Sequence, residues 1–414
     1  MTSTTSAPSV FEAELPTLEY DVTESPHEVC SRIRAAQLRG PIAIGPFGPE
    51  ILSYELARGV LRDTRFVIPP GLHLSAQGVT SGPLWDRVVG SIICAEGAEH
   101  HRLRSLVSRA FTPRATARLS DTIGEVVNEL VDSVAGAGGC DVVTDIARHY
   151  PIPIICALIG APRGTWAQFS RWAEAIFKMA NFSVNLADET PAILRGWAEL
   201  DAYVDEMVTE RRHRLTDDLL SDLIRAEVDG DRLNADELRM TVAGLLLAAT
   251  DTTRNQLAAS LHVLLDHPEQ WAMLGENPEL ATPAVEESMR HSPAVCNTVR
   301  TVNDDVELQG YTFPARTHIF VNSFAANRDP GIYEDPDRFD ITRKEAPAVL
   351  TFGGGVHYCL GANLARLELA EGLKILARRM PDARRAGPAP WKPMLGMSGP
   401  ISLPIEFGRP GGHW

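Results

Sequence analysis

The six cysteines of this 414-residue chain stand at 30, 94, 140, 156, 296 and 359 and form no CxxC pair and no CxxCH. That excludes a zinc ribbon, a dithiol redox site and c-type covalent attachment of a cofactor. Scattered single cysteines fit a reducing compartment, so a cytoplasmic protein without disulfides is expected. Basic residues are in the minority, 39 against 54 acidic, for a formal net charge of −15. No basic stripe relieves this, which excludes nucleic acid as a partner. Long apolar runs are missing too. The longest, 242–249 and the proline-broken 151–161, fall short of the ~20 residues that span a bilayer. Residues 1–16 are polar, with no basic flank and no apolar core, so neither a leader nor an anchor is expected. There is no G-x-G-x-x-G opening a strand–helix unit, no four-cysteine cluster and no G-x-S-x-G. Gly396-Met397-Ser398-Gly399 has the wrong spacing for the last. A built-in dinucleotide or iron–sulfur domain and a serine hydrolase are thereby excluded.

What remains is ordinary globular composition, 44% hydrophobic and 22% charged. The expected organisation is a flexible arm over 1–20 and a single domain over 21–414. The fold class is mainly α with small β-sheets. Residues 41–52 read as a small sheet and 67–95 as a long irregular loop. Residues 99–159 read as helices, and 163–227 as further helices broken around 181–191. Apolar residues at three- and four-residue spacing carry these assignments. Asn234 reads as an N-cap with Glu237 completing a capping box. The helix it opens runs to about 266, long enough to cross the whole domain. Its middle, 244–250, is apolar on every face and should be buried. Helix returns at 283–291 and 360–380, strands at 294–322, a Pro- and Asp-rich meander at 327–342 and a final hairpin at the C-terminus.

The most informative stretch is Thr351-Phe-Gly-Gly-Gly-Val-His-Tyr-Cys359-Leu-Gly-Ala-Asn-Leu-Ala-Arg366. Its glycines permit positive φ and close backbone approach to something flat and bulky. A cysteine opening a helix has its thiolate stabilised by the dipole and by first-turn N–H groups. The other five cysteines read as small core residues. With its neighbours Phe352, Gly355, His357, Gly361 and Ala365, Cys359 resembles the haem-binding signature of the cytochrome P450 superfamily, FxxGxHxCxG. The resemblance covers about 25–407 and is weakest in 67–95 and 165–195. It implies haem b bound non-covalently, with the Cys359 thiolate as axial iron ligand. Phe352 would pack beside the sulfur and Gly361 belong to the cofactor loop. His100, Arg104, Arg300 and His357 would hold the propionates, with His101 a competitor in register for His100.

Other segments resemble the same family in the same order. Glu287 and Arg290 match its ExxR pair, one helical face apart, and Arg338 matches the third member of that structural network. On the long helix, Asp251 and Thr252 match the proton-relay pair. A buried acid beside an alcohol is costly without a purpose; the bland alternative is back-bonding to the helix. The family distorts its helix here, often at a glycine where this chain has Ala249.

The implied activity is that of a monooxygenase inserting one oxygen atom of O2 into an apolar substrate. Electrons would come from separate proteins, a ferredoxin and its reductase, docking near Arg102, Arg109 and Arg114. The chain is expected to be monomeric and free of membranes. Pocket candidates by position are Gly244, Leu247, Ala248, Val295, Cys296, Thr298 and Met397, with Arg254 a possible partner for a substrate carboxylate. Two alternatives stay open: a peroxygenase driven by hydrogen peroxide, and a haem sensor without turnover. The acid–alcohol pair weighs against both.

Overall fold

The computed structural model describes residues 7–180, 184–228, 233–344 and 346–408. Its centre is the 31-residue helix Ala235–Leu265. The Asn234 side chain accepts the Glu237 N–H at 2.9 Å, and the Glu237 carboxylate accepts the Asn234 N–H at 2.8 Å. This reciprocal cap satisfies donors that the first turn otherwise leaves bare. At about 1.5 Å per residue the helix is some 46 Å long. Helices Pro151–Ile159, Trp166–Phe177, Leu186–His213 and Ala362–Arg379 pack around it. Val242, Ala243, Leu246, Leu257, Leu261 and Leu264 fill the space between.

The strands are β1 (Ile42–Gly45), β2 (Gly48–Ile51), β3 (Phe66–Val67), β4 (Gly139–Asp141), β5 (Asn297–Val302), β6 (Val306–Leu308), β7 (Tyr311–Phe313), β8 (His318–Asn322), β9 (Arg384–Arg385) and β10 (Pro404–Glu406). Among the described residues they form a five-stranded sheet β1-β2-β8-β5-β3, a three-stranded sheet β4-β10-β9 and the hairpin β6-β7. The β2–β8 pair is parallel and the rest are antiparallel. The chain end is therefore not a local hairpin: β10 pairs with β4, more than 260 residues upstream, as well as with β9. Val142–Ile159 is the one described stretch apolar and long enough to cross a membrane. It changes helix type at Arg148–Tyr150 and is 67% buried in the protein.

Three segments depart from the sequence expectation. The stretch read as a loose arm is packed from residue 7 onward, although residues 1–6 lie outside the described set. Val10 and Leu18 are buried, and Ser9 and Thr17 bridge to Thr312 and Ile44. Spaced apolar residues too few to show a period still found pockets on the sheet. The loop 67–95 contains a helix, Pro83–Val89. Arg87 from this helix clamps Asp201 through two bonds of 2.9 and 2.7 Å and lies 4.3 Å over the Trp197 ring. His73 and Gln77 also reach the Met179 carbonyl, at 2.8 and 2.9 Å. The break expected at 181–191 is shorter than its reading. Residues 181–183 lie outside the described set, but the helix has begun by Leu186 and carries Pro191 inside it.

The Glu287–Arg290 pair is buried on Ala281–His291. Arg290 donates to both Glu287 oxygens, at 2.7 and 2.8 Å. It also donates to the carbonyls of Asn327, Pro336 and Arg338, at 3.2, 2.6 and 2.8 Å. The third member of the network is not the one expected. The Arg338 side chain is exposed and turns to Asp340 at 2.7 Å. Arg343 takes its place, at 3.2 Å from Glu287, and also donates to the carbonyls of Glu334, Asp335 and Arg338. Breaking a buried pair by removing one partner costs about 3–5 kcal/mol, whereas an exposed pair contributes about 0–1 kcal/mol. R290A should therefore lower the thermal unfolding midpoint sharply, R343A less so, and R338A hardly at all. Circular dichroism melts of the three variants check this; equal losses for R290A and R338A would contradict the assignment.

Candidate active site

The cysteine loop is shaped by its glycines. Gly353 and Gly355 have φ of +70° and +64°. A Cβ on Gly355 would stand 2.3 Å from the Leu61 carbonyl oxygen and 3.1 Å from the Arg62 Cα. The close approach expected of these glycines is thus, at Gly355, to the protein's own backbone. The Cys359 N–H donates to the Phe352 carbonyl at 2.9 Å, and the turn runs on into Ala362–Arg379. Cys359 itself is exposed. Burial nonetheless raises its thiol pKa; a hydrogen bond from the Gly361 N–H and the charges of Arg104 and Arg366 pull it back down. Phe352 lies under Arg366, 4.4 Å from guanidinium to ring centre. Arg104 donates to the Tyr358 carbonyl.

His100, Arg104, Arg300 and His357 come together, as the sequence implied. The His100 and His357 rings are 4.3 Å apart. His100 is buried and its neighbour His101 exposed, which settles the register between them. Burial, then the charges of His357 and Arg104, push His100 down to about 4. Arg300 is 2% exposed and lowered to about 10 by burial. Among the described contacts its guanidinium makes one hydrogen bond, to the Val299 carbonyl at 2.9 Å, and no ion pair. Sequence reasoning missed Glu96, which accepts from His357 at 3.1 Å and from the Ile68 N–H at 2.8 Å. No spacing rule marks a lone glutamate at the end of an irregular loop.

On the long helix, Gly244, Ala248 and Thr252 share one open face. Nothing lies within 4 Å of a Cβ on Gly244, and Ala248 is exposed in the middle of an otherwise buried helix. The helix is α-helical throughout, without the local distortion expected beside Ala249. The Thr252 hydroxyl donates to the Ala248 carbonyl at 3.0 Å and Thr250 to Leu246 at 2.7 Å. Asp251 is buried and ion-paired with Arg254, so Arg254 is committed inside the protein rather than offered to a ligand.

Two pocket candidates face elsewhere. Leu247 is buried against Ile152, Ile155, Phe169 and Trp172, a turn of about 100° away from Ala248. Cys296 is buried among Leu18, Phe324 and Met394, and its thiol donates to the Pro293 carbonyl at 3.3 Å. Its neighbour Val295 pairs instead with Met397 across an antiparallel bridge. Thr298 is half-buried, opposite Val321 in the sheet. Of the three arginines expected on a docking face, Arg102 is neutralised by Glu99 and Glu237 at 2.8 and 2.5 Å. The Arg109 side chain lies outside the described set. Arg114 is exposed, as are Arg62, Val356 and Tyr358 around the cysteine loop.

The donor set fits haem. An accessible sulfur with cations beside it suits a thiolate ligand, and a buried arginine without a carboxylate partner among the described contacts suits a propionate. Comparison with known proteins points the same way. The cytochrome P450 family model matches residues 87–379. Luteothin monooxygenase of Streptomyces thioluteus is 34% identical over 415 residues, covering 98% of this chain and 99% of its own. Mycinamicin IV hydroxylase/epoxidase of Micromonospora griseorubida is 35% identical, covering 87% and 91%. The solved structure of P450BioI in complex with hexadec-9Z-enoic acid ligated acyl carrier protein superposes with a TM-score of 0.82 at 32% identity, covering 91% and 98%. The chain belongs to the cytochrome P450 family: it is a bacterial-type monooxygenase whose haem b is bound non-covalently through a cysteine thiolate.

Proposed function

We propose that Cys359 is the thiolate ligand and that the enzyme hydroxylates an apolar organic substrate, with electrons from a separate ferredoxin and its reductase. The observation that carries this is the cysteine loop: Gly353 and Gly355 at positive φ, the Cys359 N–H held by the Phe352 carbonyl at 2.9 Å, and Arg104 tied to the Tyr358 carbonyl. Bound there, haem supplies the activation of O2, and the protein supplies position and proton control. Arg300, Arg104, His100 and His357 offer the donors for two carboxylates. Gly244 and Ala248 leave room for an apolar substrate. Asp251 takes protons from water and passes them through the Thr252 hydroxyl. For this, Thr252 gives up its bond to the Ala248 carbonyl. Exposed Arg62, beside Gly355, and exposed Arg114 suit an acidic electron donor, whose attraction steers encounter.

Four measurements check the reading. Visible-absorption titration with luteothin, mycinamicin IV and hexadec-9Z-enoic acid should give a saturable low-spin to high-spin shift with at least one. C359S should abolish the thiolate-type spectrum; a normal spectrum in that variant would end the assignment. R300Q should lose haem to apomyoglobin faster than wild type by about tenfold, since a charge-assisted bond is lost. D251N should cut product formation with NADH, ferredoxin and reductase by about a hundredfold. Turnover of equal rate with hydrogen peroxide alone, insensitive to D251N, would favour the peroxygenase reading instead.

A further inference from the structure

The residue before Glu287 makes an ion pair of its own. Glu286 accepts from Arg366 Nε at 2.5 Å and from Nη2 at 3.4 Å, which joins the helix Ala281–His291 to the helix Ala362–Arg379. Arg366 Nη1 turns the other way and donates to the Tyr358 hydroxyl at 3.0 Å. The same guanidinium lies over the Phe352 ring, 4.4 Å from its centre. Phe352 and Tyr358 both belong to the turn that carries the sulfur. The Phe352 carbonyl accepts the Cys359 N–H at 2.9 Å, and Tyr358 is the residue before Cys359. We propose that Arg366 is a positioning residue for the Cys359 thiolate, acting through Phe352 and Tyr358, and that its charge, set against that of Glu286, tunes the reduction potential of the bound haem.

One side chain meets three partners in three ways: its edge grips a carboxylate, its remaining donor takes a phenol, and its face covers a ring. Tyr358 is thereby held at both ends, since Arg104 donates to its carbonyl, although the residue is 39% exposed. Phe352 is held likewise, by the Cys359 N–H at its carbonyl and by Arg366 at its ring. A shift of the sulfur therefore strains contacts that meet at Arg366. The charges follow from the same geometry. Glu286 takes the edge of the guanidinium and Phe352 takes its face, so the cation is the charge in contact with the ring. Adding an electron makes the haem and its thiolate more negative, so a nearby cation favours the reduced form and a nearby anion opposes it. The Arg366 and Glu286 side chains are 26% and 34% exposed, so solvent screens these effects only in part. Removing the arginine charge and removing the glutamate charge then act in opposite directions. A tie that served only to hold two helices together is loosened by either change, and in the same sense.

The inference rests on Cys359 as the thiolate ligand, and the test separates the two. Wild type, R366Q and E286Q holoenzymes are titrated electrochemically with small redox dyes, which need neither substrate nor partner protein. The spectrum of each reduced protein under carbon monoxide reports whether the sulfur is bound as thiolate, and circular dichroism melts report stability. R366Q is expected to lower the equilibrium constant for one-electron reduction about tenfold, a shift of about 59 mV to more negative potential. E286Q is expected to raise it about threefold. Shifts of both variants in the same direction, or lower melting temperatures with unchanged potentials, overturn the inference and leave Arg366 a structural tie. Slower reduction by ferredoxin at unchanged potential overturns it too, and makes Arg366 a docking contact. Should R366Q fail to hold haem, E286Q alone decides: a rise supports the inference, and no change or a fall ends it. In all these cases the thiolate reading stands. If the wild type lacks a thiolate-type spectrum, that reading and the inference fall together.

Discussion

A buried guanidinium has five N–H groups to place, and Arg290 places all five: two on Glu287 and one each on the carbonyls of Asn327, Pro336 and Arg338. Ionic groups out of water cost several kcal/mol each unless every polar atom finds a partner. That requirement fixes the meander, because irregular backbone must bring its carbonyls to the arginine. Asn327 carries the constraint forward. Its side-chain oxygen accepts the Leu350 N–H at 2.8 Å, and its amide donates to Thr351 at 3.1 Å, which in turn donates to the Met289 carbonyl. Phe352 follows immediately, and its carbonyl holds the Cys359 N–H. The place of the sulfur is thus inherited, bond by bond, from an ion pair more than 60 residues upstream. A lysine could not do this, having three donors and no planar fork.

The same economy of charge explains how an acidic protein readies itself for an anion. Most described arginines are spent on carboxylates: Arg102 on Glu99 and Glu237, Arg148 on Glu174, Arg366 on Glu286. Arg300 is buried, lowered to about 10, and has no such partner among the described contacts. Leaving a cation buried and unpaired is unfavourable unless a ligand completes it. Glu96 stands in the same cluster, one carboxylate oxygen accepting from both His357 and the Ile68 N–H, without a direct bond to Arg300 among the described contacts. Arg104 and Arg300 thus stand near the cysteine loop and the two histidines without an ion pair among the described contacts, which suits anionic groups there.

Much of this was legible in the sequence where the signal is local. The box of Asn234 and Glu237 marked the long helix to the residue, because both bonds lie within one turn. The cysteine loop was legible through residue types that a tight turn demands. Three kinds of information were not. Arg343 rather than Arg338 joins Glu287, a choice made by the path of a meander with no period. Side of burial failed at Leu247 and Cys296, where one residue of offset turns a side chain from an opening to a core. Distant pairings were invisible too: β10 with β4, Glu96 with His357, and Lys392 with Asn255 join segments that share no pattern.

The open face of the long helix narrows what a substrate can be. Gly244, Ala248 and Thr252 recur every four residues, so they form a strip of about 12 Å along the axis. Its first two positions carry a hydrogen and a methyl group, and its last carries the hydroxyl. Apolar matter is favoured over the first part, because neither residue offers a side-chain polar partner and water there is gained back on binding. On the function proposed above, the reacting carbon would lie at the other end, where the strip meets the hydroxyl and the acid behind it. Val295 and Met397 pair across a bridge, and the Arg87–Asp201 clamp and the bonds to Met179 fasten the 67–95 loop to the helices. The helix sets depth and orientation, which are readable. The fastened loops are held by contacts between distant parts of the chain. On the function proposed above, reaction class would follow from the helix and the buried ion pair, and substrate identity from loops whose shape depends on how they are fastened.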